Sequence, residues 1–218
     1  MLKLVIGNKA YSSWSLRPWV FLRHHGIPFE EVRVALYAGD YKSQITAYSP
    51  AGKVPVLVDD GLTVWDSLAI LEYLSEKFPQ TNGWPKEAAA RARARSACAE
   101  MHSGFGNLRQ HLTMNARKVF PWRDWPQEVL ADIARIEALW SDCRSQYGSG
   151  GPFLFGAFSV ADAMYAPVVW RLHGYSVPVN AVTRTYLDTM LALPAMRDWQ
   201  AGALAEAEVL PQFERDRP

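Results

Sequence analysis

The sequence predicts an α+β chain built from two parts, a mixed strand-and-helix part over residues 1–78 and an all-helical part over residues 87–218. In the first part, apolar alternation and helical spacing follow one another in the order β-α-β, loop, β-β-α. Afterwards strand patterns nearly vanish, and apolar residues recur every three or four positions. Residues 79–86 carry two prolines and a glycine, which indicates a linker between the two parts.

The composition is that of an ordinary globular protein. Of 218 residues, 49% are apolar and 21% are charged, which excludes disordered and fibrous classes. The 23 Lys and Arg residues against 22 Asp and Glu give no excess of positive charge for binding nucleic acid. No apolar run reaches the ~18–20 residues that cross a membrane, and the first residues lack the apolar core of a signal peptide. We therefore expect a cytoplasmic protein that binds neither nucleic acid nor a membrane.

In the first part, alternating apolar residues indicate the strands, and proline and glycine indicate where helices begin and end. Pro18 is tolerated in the first turn of a helix, so a helix is expected to begin near Ser15 and to end at His25, before Gly26. A second helix is expected over residues 66–78, where apolar residues keep helical spacing. The predicted strands are residues 2–6, 29–34, 54–58 and 62–64.

The second part shows three apolar stripes. The first runs from Ala97 to Leu112 as one helix, weakened by Gly104 and Gly106, where we expect another group to come close. Asp124 with Gln127, and Ser159 with Asp162, form capping-box patterns that predict the starts of two further helices. The last two helices are expected over residues 179–193 and 194–205.

Several kinds of site are excluded or disfavoured. The chain lacks a P-loop motif, a zinc-protease HExxH motif and a CxxC pair, and no two histidines are spaced for a helical metal site. We therefore expect no metal. Cys98 and Cys143 lie in helical stripes and are expected to be core residues. The basic run over residues 86–95 has two interpretations, a patch for a partner or the solvated face of a helix.

Three polar motifs in the first part fall at strand ends and helix starts. They are the serines at positions 12, 13 and 15, the run 52–55 that opens the third strand, and Asp66 with Ser67. Helix N-termini carry free N–H groups and partial positive charge, which favours an anion or a thiolate. Together the motifs predict such a site at one edge of the sheet.

These motifs carry a family resemblance. The runs SSWSLR at 12–17, SPAGKVP at 49–55, DSLAILEYL at 66–74 and FSVAD at 158–162 resemble those of cytosolic-type glutathione transferases. The serine motif is most similar to the zeta and related bacterial serine-type classes. The resemblance implies a thioredoxin-like N-terminal domain (residues 1–78), an all-helical C-terminal domain (residues 87–218) and a homodimer.

The resemblance further implies an enzyme that binds glutathione and directs its thiolate at a small hydrophobic electrophile. The alternative is a non-catalytic binding module of the same fold, which carries a ligand or contacts another protein. Ser12 is the expected catalytic residue and Ser13 the fallback, with Tyr11 as a competing donor to the sulfur because other classes of the family use tyrosine.

The resemblance also assigns glutathione-binding roles. Lys53 is expected to bind the glycyl carboxylate, and Val54 to pair through its backbone with the cysteinyl part. The bond between Val54 and Pro55 is expected to be cis. Ser67 is expected to bind the γ-glutamyl carboxylate, and Asp66 to face the ammonium group.

The electrophile pocket is expected between the two domains, with Gly104 and Gly106 giving room for a bulky ligand. Trp14 stands where the zeta signature has cysteine, and Gly174 stands where zeta members place a substrate-binding arginine. Weak or absent isomerase activity toward maleylacetoacetate analogues is therefore expected. The dimer is expected to form through the helices at 66–78 and 88–99. The predicted pocket residues are Trp14, Met101, Phe105, Leu108, Trp170 and Arg171.

Overall fold

A four-stranded mixed sheet lies at the centre of the first part of the chain, within residues 1–214 that this computed structural model describes. The strand order is β2-β1-β3-β4, with β1 parallel to β2 and antiparallel to β3. Leu4 and Ile6 pack into the main core, whereas Val5 packs with Val56 in a smaller cluster on the opposite face. The strands are β1 (Lys3–Ile6), β2 (Glu30–Arg33), β3 (Val56–Asp59) and β4 (Leu62–Trp65).

The helices of the first part are α1 (Ser13–His24), α2 (Tyr41–Thr46) and α3 (Ser67–Lys77). The expected start of α1 near Ser15 is wrong by two residues, and Pro18 lies inside the helix. Proline there removes the bond to the carbonyl of Trp14, but the middle of α1 is almost completely buried, which holds the helix together. The short α2, which buries Ile45, occupies a segment expected to be a loop.

The second part is helical, and α7 is its centre. Nearly every residue of α7 is buried, and the helix packs against α1 and α4. The α1 helix also packs on α9, where the rings of Trp19 and Trp199 lie 5.1 Å apart. The first helix therefore joins the core of the sheet to that of the helices. The helices are α4 (Ala88–Ser103), α5 (Gly106–His111), α6 (Gln127–Tyr147), α7 (Val160–Gly174), α8 (Ala181–Ala192) and α9 (Pro194–Ala205).

The helix expected to run unbroken from Ala97 to Leu112 is two helices. The α4 helix ends at Ser103, Gly104 follows as its C-cap, and Phe105 has a left-handed φ of 56°. A Cβ at Gly104 would lie 2.7 Å from the carbonyl oxygen of Glu100. Glycine at this position therefore avoids a clash with the last turn of α4, whereas a Cβ at Gly106 would meet nothing within 4 Å.

One of the two predicted capping boxes is present. The Ser159 backbone N–H donates to Asp162 over 2.9 Å, and both halves of the box are formed. The other prediction is wrong, because α6 begins at Gln127 after Pro126, and no side chain within residues 1–214 caps it. The residue at the N-cap is therefore Pro126 and not Asp124.

The basic run is paired within the chain. Arg93 forms an ion pair with Asp142, and Arg95 lies 3.4 Å from a carboxylate oxygen of Glu72. Arg91 donates to the carbonyl oxygen of Lys86 over 2.8 Å. These contacts favour the solvated-face interpretation over a patch for a partner. None of the helices described for this chain is both long enough and apolar enough to cross a membrane.

Candidate functional site

A cavity of about 840 Å³ lies between the sheet and the helical part. The first part contributes three polar segments that the sequence singled out, and α4, α5 and α7 each contribute a cationic or titratable side chain. From the first part the cavity is lined by Ser12, Ser13, Trp14, Lys53, Val54, Pro55, Asp66 and Ser67, and from the three helices by His102, Arg109 and Arg171.

Ser12 precedes α1 but does not use its hydroxyl to cap the helix. Its Oγ accepts no capping bond from the N–H groups of the first turn, within the described residues, and lies 2.7 Å from the Oγ of Ser15. The Oγ of Ser15 in turn accepts a hydrogen bond from the backbone N–H of Gly7 over 3.1 Å. Ser12 therefore stands at the positive end of α1 with a hydroxyl next to the cavity.

Tyr11, the competing donor, also lines the cavity, but its hydroxyl has other partners. It donates to Oε1 of Glu214 over 2.5 Å, and it accepts from Arg117 and from the backbone N–H of Leu210. Burial, together with the hydrogen bond to Glu214, raises the pKa of Tyr11 above its ordinary value. The phenol is thus held as a neutral donor to Glu214, which leaves no proton for a ligand in the cavity.

The segment before β3 contains a cis peptide bond between Val54 and Pro55, as predicted. Pro55 is buried, Val54 is half-buried and Lys53 is exposed, and all three line the cavity. Gly52, just before them, has a left-handed φ of 61°, which favours glycine. The turn brings the backbone of Val54 to the same cavity as Ser12.

The N-terminus of α3 forms another wall. Asp66 caps the helix by accepting from the N–H of Leu68 over 2.9 Å, and its other oxygen lies 3.3 Å from Nε2 of His102 on α4. Ser67 is almost fully buried, and its Oγ accepts a hydrogen bond of 3.2 Å from Arg17. This wall combines a carboxylate, a hydroxyl and the free N–H groups of a helix start.

Arg109 and Arg171 line the helical side of the cavity, and the buried Arg17 of α1 lies behind Trp14 next to them. The guanidinium of Arg17 lies 4.2 Å from the ring centre of Trp14, and that of Arg109 lies 5.6 Å from it. Arg171 donates to the carbonyl oxygen of Arg109 over 3.3 Å and also to that of Leu112. Among the ion pairs found within residues 1–214, none includes these three arginines.

Their pKa values show the effect of burial without a paired carboxylate. Burial, with smaller contributions from the charges of Arg109 and Arg171, lowers the pKa of Arg17 to about 9. Burial likewise lowers the pKa of Arg171 to about 10 and that of Arg109 below its ordinary value. The wall is therefore electropositive and would gain from a negatively charged ligand.

The electrophile wall differs from the one expected from the sequence. Trp14 and Arg171 line the cavity, whereas four of the predicted residues are buried in the hydrophobic core. Each of them packs into the main core of the chain. Those four are Met101, Phe105, Leu108 and Trp170.

The sequence missed the other lining residues because they belong to segments whose orientation depends on the whole fold. Tyr37 and Tyr41 come from the loop and helix after β2, and Phe213 comes from the end of the described chain. Arg109 and His102 are recognisable only once α4 and α5 are placed.

The two cysteines lie away from this chemistry. Cys98 and Cys143 are free and fully buried, and burial raises the pKa of both thiols, that of Cys143 to about 11. Neither thiol is therefore a nucleophile at neutral pH. In the described part of the chain no three His, Cys, Asp or Glu side chains are grouped to hold a metal ion.

Comparison with known proteins gives relatives across most of the chain. A probable maleylacetoacetate isomerase from Caenorhabditis elegans is 29% identical over 194 residues, which are 87% of this chain and 91% of that protein. Glutathione S-transferase theta-1 from Mus musculus is 35% identical over 167 residues, 74% of this chain and 70% of that protein. Glutathione S-transferase Z2 from Arabidopsis thaliana is 26% identical over 205 residues, 87% of this chain and 89% of that protein.

A solved structure shares the architecture. A glutathione transferase homologue from Burkholderia, crystallised with bound glutathione, superposes with a TM-score of 0.72 at 23% identity, covering 94% of this chain and 99% of that chain. The sheet with its helices is thus a thioredoxin-like N-terminal domain, and the helices from α4 onward are a helical C-terminal domain, as predicted.

Two family models match in the order of these domains. Residues 11–77 match the glutathione S-transferase N-terminal domain, and residues 88–201 match the glutathione S-transferase C-terminal domain. With both models and the theta-1 relative in agreement, the chain belongs to the glutathione S-transferase family.

Proposed function

We propose that this protein is a serine-type glutathione transferase in which Ser12 stabilises the thiolate of bound glutathione. The observation that supports this most directly is the convergence of Ser12, Val54, Asp66 and Ser67 on one cavity. The hydroxyl of Ser12 does not cap α1, so helix capping does not account for a serine at this position. The relatives are named as transferases and an isomerase, which supports an enzyme over a non-catalytic binding module.

Each part of glutathione has a counterpart in the cavity. The buried hydroxyl of Ser67 and the start of α3 would hold the γ-glutamyl carboxylate, and Asp66 would face the ammonium group. The backbone of Val54 would pair with the cysteinyl unit. Lys53, which is exposed at the rim, would bind the glycyl carboxylate.

The reaction needs a thiolate at neutral pH. A free thiol has a pKa of about 8.5, so only a small fraction is ionised. Lowering that pKa by two units takes about 2.7 kcal/mol. One charge-assisted hydrogen bond from Ser12, together with the positive end of α1, is of that size. The thiol proton leaves to solvent, and the sulfur lone pair forms a bond to the electrophilic carbon while the leaving group departs with its electrons.

For the second substrate we propose an apolar or aromatic electrophile, and the arginines favour one that carries a carboxylate. Trp14 offers an aromatic surface, and Arg109 and Arg171 line the same cavity. A matched pair of electrophiles, a chloronitrobenzoate and its neutral amide, tests this. Arg109→Gln is expected to lower kcat/KM about tenfold for the benzoate and little for the amide, since a hydrogen bond to a charged group is lost. Arg197→Gln, which removes an exposed charge on α9, is the control.

Glutathione-dependent isomerisation of an acidic substrate is a second candidate. The sequence predicts that this activity is weak, because Gly174 replaces the expected arginine. Gly174 is buried and lies against the backbone near Asn115 and Lys118, whereas Arg171, one turn earlier, lines the cavity. Turnover of maleylacetoacetate analogues at rates usual for enzymes, ~1–10³ s⁻¹, would overturn the prediction of weak activity.

The central experiment has two steps. The protein is passed over immobilised glutathione, and the eluted protein is assayed for chromogenic conjugation with wild type, Ser12→Ala and Ser75→Ala. Ser75 bonds its own helix at the Leu71 carbonyl and serves as the matched control. Loss of turnover in Ser12→Ala alone supports the proposal. Retention on the column without turnover in the wild type would favour the binding module.

We also propose a cytoplasmic homodimer that pairs through α3 and α4, with the domains bounded at residues 78 and 87. The two-fold arrangement is the commonest for soluble oligomers. Light scattering at micromolar concentration is expected to give twice the mass of 24.5 kDa. A monomeric mass would contradict it.

A further inference from the structure

The hydroxyl of Ser15 lies directly behind that of Ser12. Ser15 is fully buried on α1, and its Oγ has two described contacts, the N–H of Gly7 at 3.1 Å and the Oγ of Ser12 at 2.7 Å. Ser15 is the third residue of α1 and does not line the cavity, whereas Ser12 does. The three groups therefore form a chain that begins at the end of β1 and reaches the cavity at Ser12.

Gly7 makes the close approach possible. A Cβ at this position would lie 2.5 Å from Cδ1 of Leu36 and 3.2 Å from the Cβ of Ser12. A larger residue would displace the Leu36 side chain and crowd the Cβ of Ser12. The glycine thus keeps its N–H within reach of Ser15.

The direction of the protons follows from burial. A hydroxyl has one proton to donate, and a buried one needs an acceptor for it. In the bond from the Gly7 N–H, Ser15 Oγ is the acceptor, so the hydroxyl proton of Ser15 still needs an acceptor of its own. Within residues 1–214 the described acceptor for it is Ser12 Oγ. Ser15 therefore donates to Ser12, and the proton of Ser12 is left to point into the cavity.

We propose that Ser15 is a positioning residue that orients the Ser12 hydroxyl toward the glutathione sulfur and strengthens it as a donor. This inference rests on the function proposed above. Each donor in the chain from Gly7 through Ser15 to Ser12 polarises the next, which makes the last hydroxyl a better partner for a negative charge. Ser15 itself does not contact the ligand. Its effect is on the ionisation of the thiol.

The test measures the pKa of the thiol of bound glutathione by the ultraviolet absorbance of the thiolate, in wild type and in Ser15→Ala. Loss of the donor to Ser12 is expected to raise that pKa by about 0.5–1 unit. At pH values below this pKa we expect kcat/KM to fall by about three- to tenfold, because the fraction of ionised thiol falls by the same factor. The glutathione KM is expected to stay near the wild-type value, because Ser15 makes no contact with the ligand.

Three further variants separate positioning from folding. Ser15→Thr keeps the hydroxyl and is expected to keep the thiol pKa, even where its added methyl group lowers stability. Ser15→Cys, of similar volume but a weak donor, replaces Ser15→Ala if that variant does not fold. In the double variant Ser12→Ala with Ser15→Ala, the second change is expected to add nothing to the thiol pKa, since Ser15 acts through Ser12.

The outcomes are distinguishable. A thiol pKa in Ser15→Ala equal to that of wild type, or an equal further rise in the Ser12→Ala background, overturns the role of Ser15. A wild-type protein that binds glutathione without lowering its thiol pKa overturns the proposed function instead. Ser75→Ala is the matched control and is expected to leave the thiol pKa unchanged.

Discussion

The Tyr11 hydroxyl donates a hydrogen bond of 2.5 Å to Oε1 of Glu214, which joins the end of the described chain to the loop after β1. Glu214 also accepts from Asn115 over 3.2 Å and forms ion pairs with Arg117 and Lys118. Phe213, beside it, stacks on the ring of Tyr11 with centres 5.5 Å apart and lines the cavity. Tyr11 therefore holds one edge of the cavity in place and does not face the ligand as a proton donor.

We expect Tyr11→Phe to leave the pKa of the glutathione thiol unchanged. The substitution removes the hydrogen bond to Glu214 and also the acceptor that Arg117 and the Leu210 N–H use. It is expected to lower the free energy of unfolding by ~1–3 kcal/mol. The pH–rate profile measures the first effect and urea unfolding the second. A rise in the thiol pKa as large as that of Ser12→Ala would make Tyr11 the catalytic donor.

Ser67→Ala is expected to raise the glutathione KM more than it lowers kcat, because Ser67 would contact the γ-glutamyl end and not the sulfur. The hydroxyl also accepts from the buried Arg17, so its loss is expected to reduce stability by ~1–3 kcal/mol. Steady-state kinetics at varied glutathione and a denaturation curve measure the two effects. Ser103→Ala, which removes an exposed hydroxyl at the end of α4, is the control. An unchanged KM would remove Ser67 from the binding site.

The parts of the fold that the sequence predicts well are those with local signals. The α9 helix begins at Pro194, as the position of the proline predicts, and α7 begins at the capping box of Ser159 and Asp162. The break at Phe105 was not predictable, because the apolar stripe continues through it. Both α4 and α5 bury their apolar residues in the same core, so the spacing does not record the turn between them.

The residues of the candidate site likewise fall into two groups, those that local sequence motifs predict and those that only the packing of the helices reveals. Ser12, Val54 and Ser67 stand in short motifs at strand ends and helix starts, where sequence position nearly determines place in the fold. Arg109 and Arg171 are single residues on helices, and whether such a residue faces the cavity or the solvent depends on how the helices pack. Their electropositive wall therefore emerges only from the structure.

Asp162 is a buried carboxylate with four hydrogen-bond donors around it. Its Oδ1 accepts from the N–H of Leu154 and the hydroxyl of Tyr186, and its Oδ2 accepts from the N–H and hydroxyl of Ser159. In Asp162→Asn the amide NH₂ faces one of the two backbone N–H groups, which loses its acceptor.

We expect Asp162→Asn to lower the free energy of unfolding by ~1–3 kcal/mol, and Ser159→Ala to lower it less, since the alanine variant keeps both backbone bonds to the carboxylate. Urea unfolding of both variants at neutral pH gives the comparison. If Ser159→Ala is as unstable as Asp162→Asn, the carboxylate is not the centre of the network.

His25 links stability to pH. It follows α1 and packs against Phe21, with ring centres 4.6 Å apart, and near Phe158. Its Nε2 is buried and has no hydrogen-bond partner within the described residues. Burial, with a smaller contribution from the neighbouring His24, lowers the pKa of His25 to about 4.

Because folding lowers this pKa, the folded protein binds the proton less readily than the unfolded chain. The contribution of His25 to stability is full above the unfolded pKa of ~6.5 and is lost as the pH falls through about 4. We expect a loss of about 1–2 kcal/mol over this window, less than the whole shift would give, because solvent screens the partly exposed ring. Urea unfolding of wild type and His25→Phe at several pH values measures it. The variant is expected to lose less stability than wild type between the two limits, and parallel curves for the two proteins would show that His25 is not the group responsible.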